Sequence, residues 1–128
     1  MARILIIEDE RQVREVLKQM LERAGFEVET AFNGIDGIEN FKKNPIDLVI
    51  TDILMPEKDG LETIEELTKL QPGLPILAIS GGGPGEKAQF ALDVAEQCGA
   101  RRILAKPFSR KEILAIVHEL LTLSLDQA

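Results

Sequence analysis

Five short runs rich in Ile, Val and Leu punctuate the chain, at Arg3–Ile7, Glu27–Ala31, Asp47–Thr51, Pro75–Ile79 and Arg102–Ala105, each separated from the next by a longer segment of helical period. In one of these segments Val13, Val16, Leu17, Met20 and Leu21 recur at helical spacing, and in another Leu61, Ile64, Leu67 and Leu70 do so. Each stripe can cover one face of a sheet. The alternation predicts repeated βαβ units around a parallel sheet. Turn and cap residues divide the chain at the same places: Gly25 follows the first helix, Asn33-Gly34 opens the second, Asn44-Pro45 closes it, and Gln71-Pro72-Gly73 ends the third. Ser109, with Glu112 three residues on, makes a capping box for the last helix, which is expected to run to about Leu123.

At 128 residues the chain suits one domain, with a core from about residue 3 to 123 and a short tail. The net charge of −7 argues against direct nucleic-acid binding, which needs Lys and Arg to neutralise phosphates. Trp and Tyr are absent and there are only five Phe, so the aromatic platforms of single-strand binders are missing too. The apolar run Ile4–Ile7 is ended at once by Glu8-Asp9-Glu10, too short for a signal sequence or a membrane span. A soluble protein is expected. The single cysteine, Cys98, fits a reducing compartment, and the cytoplasm is the expected location.

Open parallel α/β sheets bind ligands in the crevice at the carboxyl ends of their strands. Glu8 and Asp9 follow the first strand, Asp52 the third, Ser80 the fourth and Lys106-Pro107 the fifth. Three carboxylates brought together repel and need a counter-charge to stay ionised. A hard cation answers that need. Magnesium binds one or two carboxylates plus phosphate while keeping waters, whereas calcium wants more ligands. A carboxylate so supported can attack phosphorus and form an acyl phosphate. Asp52, on the central strand, is the expected nucleophile, with the Lys106 ammonium and the Ser80 hydroxyl each reaching a phosphoryl oxygen.

The same residues resemble the receiver domains of two-component response regulators over essentially the whole chain. Ile6-Ile7-Glu8-Asp9-Glu10 is similar to the family's acidic strand end, and Asp52-Ile53-Leu54-Met55-Pro56 with Asp59-Gly60 to its phosphoacceptor loop. Ile79-Ser80-Gly81 and Ala105-Lys106-Pro107-Phe108 supply the remaining landmarks in order. The resemblance implies a flavodoxin-like α/β/α sandwich, with a five-stranded parallel sheet of order 2-1-3-4-5 and five helices. It implies Mg2+ held by Glu8, Asp9, Asp52 and the main-chain carbonyl of Leu54, and a cis bond before Pro107.

It further implies phosphotransfer to Asp52 from a histidine kinase or histidine phosphotransfer protein. The output partner would meet the fourth helix, fifth strand and fifth helix, and the protein would be a monomer or weak dimer. In that family the Ser/Thr matching Ser80 moves with an aromatic residue on the last strand, but here Ile103 holds the aromatic position. A different readout is therefore expected, centred on the Gly81–Gly85 loop, because glycine runs visit many conformations at little steric cost.

Two other functions are weighed. A phosphatase of the haloacid-dehalogenase type uses an Asp-x-Asp pair, and Leu54 stands where the second aspartate would be. A pseudo-receiver working without phosphorylation is favoured by Ile103 and the glycine loop, and opposed by Asp9, Asp52 and Lys106. The glycine run is not a P-loop, because Glu86 precedes Lys87 and Ala88 follows it. Cys98 reads as a small hydrophobe near a helix end, and His118 as a surface residue of the last helix.

Overall fold

The computed structural model describes residues 2–53, 60–80 and 93–127. Along the chain run β1 (Arg3–Ile7), α1 (Arg11–Arg23), β2 (Glu27–Ala31), α2 (Gly34–Lys43), β3 (Leu48–Asp52), α3 (Gly60–Leu70) and β4 (Ile76–Ser80). Then come α4, described at residues 93–98, β5 (Arg102–Ala105) and α5 (Arg110–Gln127). The five strands form one parallel sheet in the order β2-β1-β3-β4-β5. This is the expected flavodoxin-like architecture.

The apolar runs are continuous because both faces of the sheet are covered. Leu5, Ile7, Val49, Ile76 and Ala78 point into one core, which Ile38 of α2, Ile64 and Leu67 of α3 and Ala95 of α4 complete. Ile4, Ile6, Leu48, Ile50, Leu77 and Ile79 point into the other, closed by Leu17 and Leu21 of α1 and by Ile113, Val117 and Leu120 of α5. Successive side chains of one strand thus serve opposite cores.

Local signals fall where the sequence placed them. The Asn33 side chain caps α2 by accepting from the Asp36 amide at 2.8 Å. Gly25 takes φ 98° after α1. At α5, the Ser109 amide donates to Glu112 Oε1 at 3.0 Å and the Glu112 amide donates to Ser109 Oγ at 3.1 Å, the reciprocal capping box.

Three elements differ from expectation in their bounds. β3 and β4 each begin and end one residue later than the apolar runs suggest, so Asp52 and Ser80 are the last residues of their strands rather than the first beyond them. The ladder carries them: the Ile53 amide donates to Ile79 O at 3.0 Å and the Lys106 amide to Ser80 O at 2.9 Å. α5 runs to Gln127 rather than Leu123, since Ser124-Leu125-Asp126-Gln127 contains neither Gly nor Pro to stop it. Among the described residues, no helix is long and apolar enough to cross a membrane.

Candidate functional site

The strand order reverses between β1 and β3, and this switch point opens a crevice at their carboxyl ends. Ile7 of β1 is paired with Thr51 of β3, so Glu8 and Asp52 emerge side by side. Asp9 follows, and one carboxylate oxygen from each of Glu8, Asp9 and Asp52 lies within 4.8 Å of the others. β5 delivers Lys106 across the crevice, with Nζ 2.7 Å from Glu8 Oε1, 3.4 Å from Asp52 Oδ2 and 4.0 Å from Glu10 Oε1. Glu8 is wholly buried and Asp52 nearly so, while the Lys106 side chain is 14% exposed. Three segments far apart in sequence therefore supply one ionic cluster.

Burial dominates its electrostatics. The Glu8 carboxyl is pushed up to about 8 from 4.5, first by burial, then by its hydrogen bond with Asp52 and that residue's charge, against the pull of Lys106. Asp9 is also raised, by burial and then by the charge of Asp52. Burial pulls the Lys106 ammonium down, but its hydrogen bond to Glu8 and the charges of Asp52, Glu8 and Glu10 outweigh that, and the net shift is upward.

One ammonium thus faces three carboxylates in a pocket of low polarity. Glu8 Oε2 is buried and accepts no hydrogen bond from any described residue. An all-oxygen donor set with an orphaned carboxylate oxygen fits a hard divalent cation.

Ser80 brings a hydroxyl to the neighbouring strand end, and its Oγ is buried with no hydrogen-bond partner among the described residues. Ile103 sits on β5 opposite Ala78, partly buried against the α2–α3 side of the core. The bond between Lys106 and Pro107 is cis. The Leu54 carbonyl and the Gly81–Gly85 loop lie outside the described residues. Cys98 is partly buried, with Sγ 3.4 Å from Glu65 Oε1, and exposed His118 rests its ring against Phe26. Neither joins the cluster.

Two supports of the site have reasons that only the structure shows. Arg14 of α1 donates through Nη1 to the Glu8 main-chain oxygen at 2.8 Å, a contact with no motif of its own. Gly60 begins α3 directly against the end of β3, its amide donating to Ile53 O at 2.9 Å. A Cβ there would run into the Asp52 carbonyl oxygen and Ile53 Cα, so only glycine fits. Gly60→Ala is expected to destabilise the fold by about 1–3 kcal/mol, the usual cost of forced overpacking, as urea denaturation would read it. Beside the mouth, an apolar groove of about 310 Å³ lies between α1 and the β5–α5 turn, lined by Val13, Val16, Leu17, Met20, Pro107 and Phe108 among others.

A doubly wound α/β domain with three carboxylates and a lysine at its switch point has the groups that phosphoryl transfer to a carboxylate calls for. The family described as the response regulator receiver domain matches residues 4–118, and the chain belongs to it. It is 36% identical over 119 residues to response regulator MprA of Mycobacterium sp. (strain KMS), covering 93% of this chain and 50% of that protein. With the transcriptional regulatory protein CpxR homolog of Haemophilus influenzae it shares 31% identity over 121 residues, 94% of this chain and 51% of the relative.

Among solved structures, a response regulator receiver domain protein from Clostridium thermocellum superposes with a TM-score of 0.91 at 28% identity, covering all of both chains. The chain spans about half the length of the curated relatives it matches. Its class is accordingly that of receiver domains, phosphoacceptors of two-component systems.

Proposed function

We propose that Asp52 is the phosphoacceptor and that the chain, as one receiver domain, takes its phosphoryl group from a histidine kinase or histidine phosphotransfer protein. The observation that carries this is the convergence of Glu8, Asp9 and Asp52 within 4.8 Å, with Lys106 bridging Glu8 and Asp52. An Asp52 carboxylate oxygen bonds to phosphorus while the bond from phosphorus to the donor's imidazole nitrogen breaks, leaving its electron pair on that nitrogen. Lys106 donates to a phosphoryl oxygen, and Ser80 turns its hydroxyl to another.

Mg2+ is the expected cofactor: Glu8, Asp9 and Asp52 would hold it, together with the Leu54 carbonyl that the family resemblance implies, and it would supply positive charge to the transferring group. Glu8 and Asp9 position their carboxylates for it, and the buried walls of β1 and β3 exclude bulk water from the reacting carboxylate. The output partner meets the α4, β5 and α5 surface; Ser80 and Ile103 stand at the two switch positions, and with Ile103 in place of an aromatic residue the expected readout centres on the Gly81–Gly85 loop.

The protein works in the cytoplasm as a monomer or weak dimer, with no direct nucleic-acid contact, and is a signalling module whose only chemistry is its own phosphorylation and dephosphorylation. Incubation with acetyl phosphate tests this reading. A hydroxylamine-labile phosphoryl group is expected in magnesium and none in chelator. Equal labelling in both would remove the cation from the account, and labelling in neither would favour a binding module that works without phosphorylation.

A further inference from the structure

Arg14, one turn into α1 and half-buried, reaches back to the corner that carries the carboxylates, donating from Nη1 to the main-chain oxygen of Glu8 at 2.8 Å. That oxygen belongs to the peptide joining Glu8 to Asp9. On its other side Glu8 is tied to the sheet, its amide donating to Ala31 O at 3.0 Å. The two bonds fix the peptide units on either side of Glu8, and the bond from Arg14 fixes the one from which both carboxylates hang.

Among the described residues, the start of α1 adds no side-chain cap to this corner. Glu10, the N-cap of α1, makes no side-chain cap hydrogen bond, and no acidic residue stands in the helix's first turn.

The sign of the charge is the telling feature. A guanidinium beside a pocket for a cation opposes binding by Coulomb repulsion, and among the described residues Arg14 forms no ion pair with any of the three carboxylates that would offset this. Its bond goes to a neutral carbonyl. Arg is suited to that task because its planar fork is pre-organised and always charged, giving a strong, directional donor.

We propose that Arg14 is a positioning residue for the divalent cation: through its hydrogen bond, and in spite of its charge, it holds the Glu8–Asp9 peptide so that the two carboxylates converge with Asp52. The inference rests on the cation-dependent phosphoacceptor reading above. Outer residues that orient metal ligands typically contribute 10–100-fold to affinity.

The test is calorimetric titration of MgCl2 into wild type, Arg14→Met, Arg14→Lys and Arg11→Gln, with far-UV circular dichroism to confirm each fold. Arg14→Met keeps the stem and loses the donors, and its Mg2+ affinity is expected to fall about tenfold. Arg14→Lys, with one compact donor on a long stem, should lose less. Arg11→Gln takes the same charge from an exposed position on the same turn and should bind as well as wild type or slightly tighter.

In acetyl phosphate kinetics the Arg14→Met midpoint in magnesium should rise while the saturated rate stays at the wild-type level. Wild-type or tighter Mg2+ binding by Arg14→Met would overturn the proposal, since removal of charge alone predicts that result. A lowered plateau with an unmoved midpoint would overturn it as well. Should Arg14→Met not fold, Arg14→Lys decides: affinity weakened a few-fold supports the proposal and wild-type affinity overturns it. If wild type itself binds no Mg2+, the functional reading falls and this inference with it.

Discussion

Lys106→Met is expected to slow phosphorylation by acetyl phosphate about 10²–10³-fold, the usual loss when one charged donor to a developing oxyanion is removed. The substitution preserves most of the stem that runs beside Pro107 and deletes the ammonium lying 2.7 Å from Glu8 and 3.4 Å from Asp52. It should also change stability in a pH-dependent way. Breaking a buried pair by removing one partner costs about 3–5 kcal/mol when the survivor must stay charged.

Glu8 has another course, because its carboxyl is already raised to about 8 and can take a proton instead. Without magnesium, the variant's deficit should therefore be smaller near pH 5 and grow as the pH approaches and passes 8. Rates against acetyl phosphate and urea denaturation at several pH values would check both halves. An unchanged rate would mean that Lys106 serves the fold and not the transfer.

The second large effect is the pH dependence of the metal-free protein. Glu8 titrates near 4.5 when unfolded and near 8 when folded. A group whose folded value is raised lets stability be fully present below its unfolded value and lost as pH rises through the folded one. Melting temperature without magnesium should then fall steadily between about pH 4.5 and 8, by an amount on the order of 3–5 kcal/mol in unfolding free energy.

Mg2+ binds the ionised carboxylates, so its stabilising effect should be larger at pH 8 than at pH 5. Glu8→Gln isolates the cause: it should flatten the slope, raise the metal-free melting temperature at pH 8 and weaken the response to magnesium. With neither Trp nor Tyr in the chain, far-UV circular dichroism is the natural readout. A metal-free melting temperature that rises toward pH 8 would contradict the description of Glu8 as a buried, destabilised carboxylate.

Much of this was legible in the sequence because strand burial and helix burial leave different periods. Ile4 to Ile7 read as a strand because Leu5 and Ile7 serve one core while Ile4 and Ile6 serve the other. Strand ends were less legible. Polarity suggested that β3 stopped before Asp52 and β4 before Ser80, yet both side chains are buried and both residues belong to the ladder. The meeting of Glu8, Asp9, Asp52 and Lys106 followed from the rule for open parallel sheets.

Which carboxylate Lys106 prefers did not follow, since it depends on side-chain reach: Glu8 sits closer to the ammonium than Asp52 does. Arg14 carried no signal at all, because a side chain bonded to a main-chain oxygen leaves no pattern in residue types. Gly60 stood in a recognised motif, but its reason, contact with the Asp52 carbonyl, is a matter of three-dimensional approach.

The central claim, that Asp52 accepts a phosphoryl group with the help of a cation, is tested most directly by intact mass. Wild type and Asp52→Asn are incubated with acetyl phosphate, with and without Mg2+. Wild type should gain the mass of one phosphoryl group only in Mg2+, and Asp52→Asn should gain none under either condition. A gain that persists in Asp52→Asn would move the acceptor elsewhere. No gain in folded wild type with magnesium saturating would contradict the phosphoacceptor account for small donors.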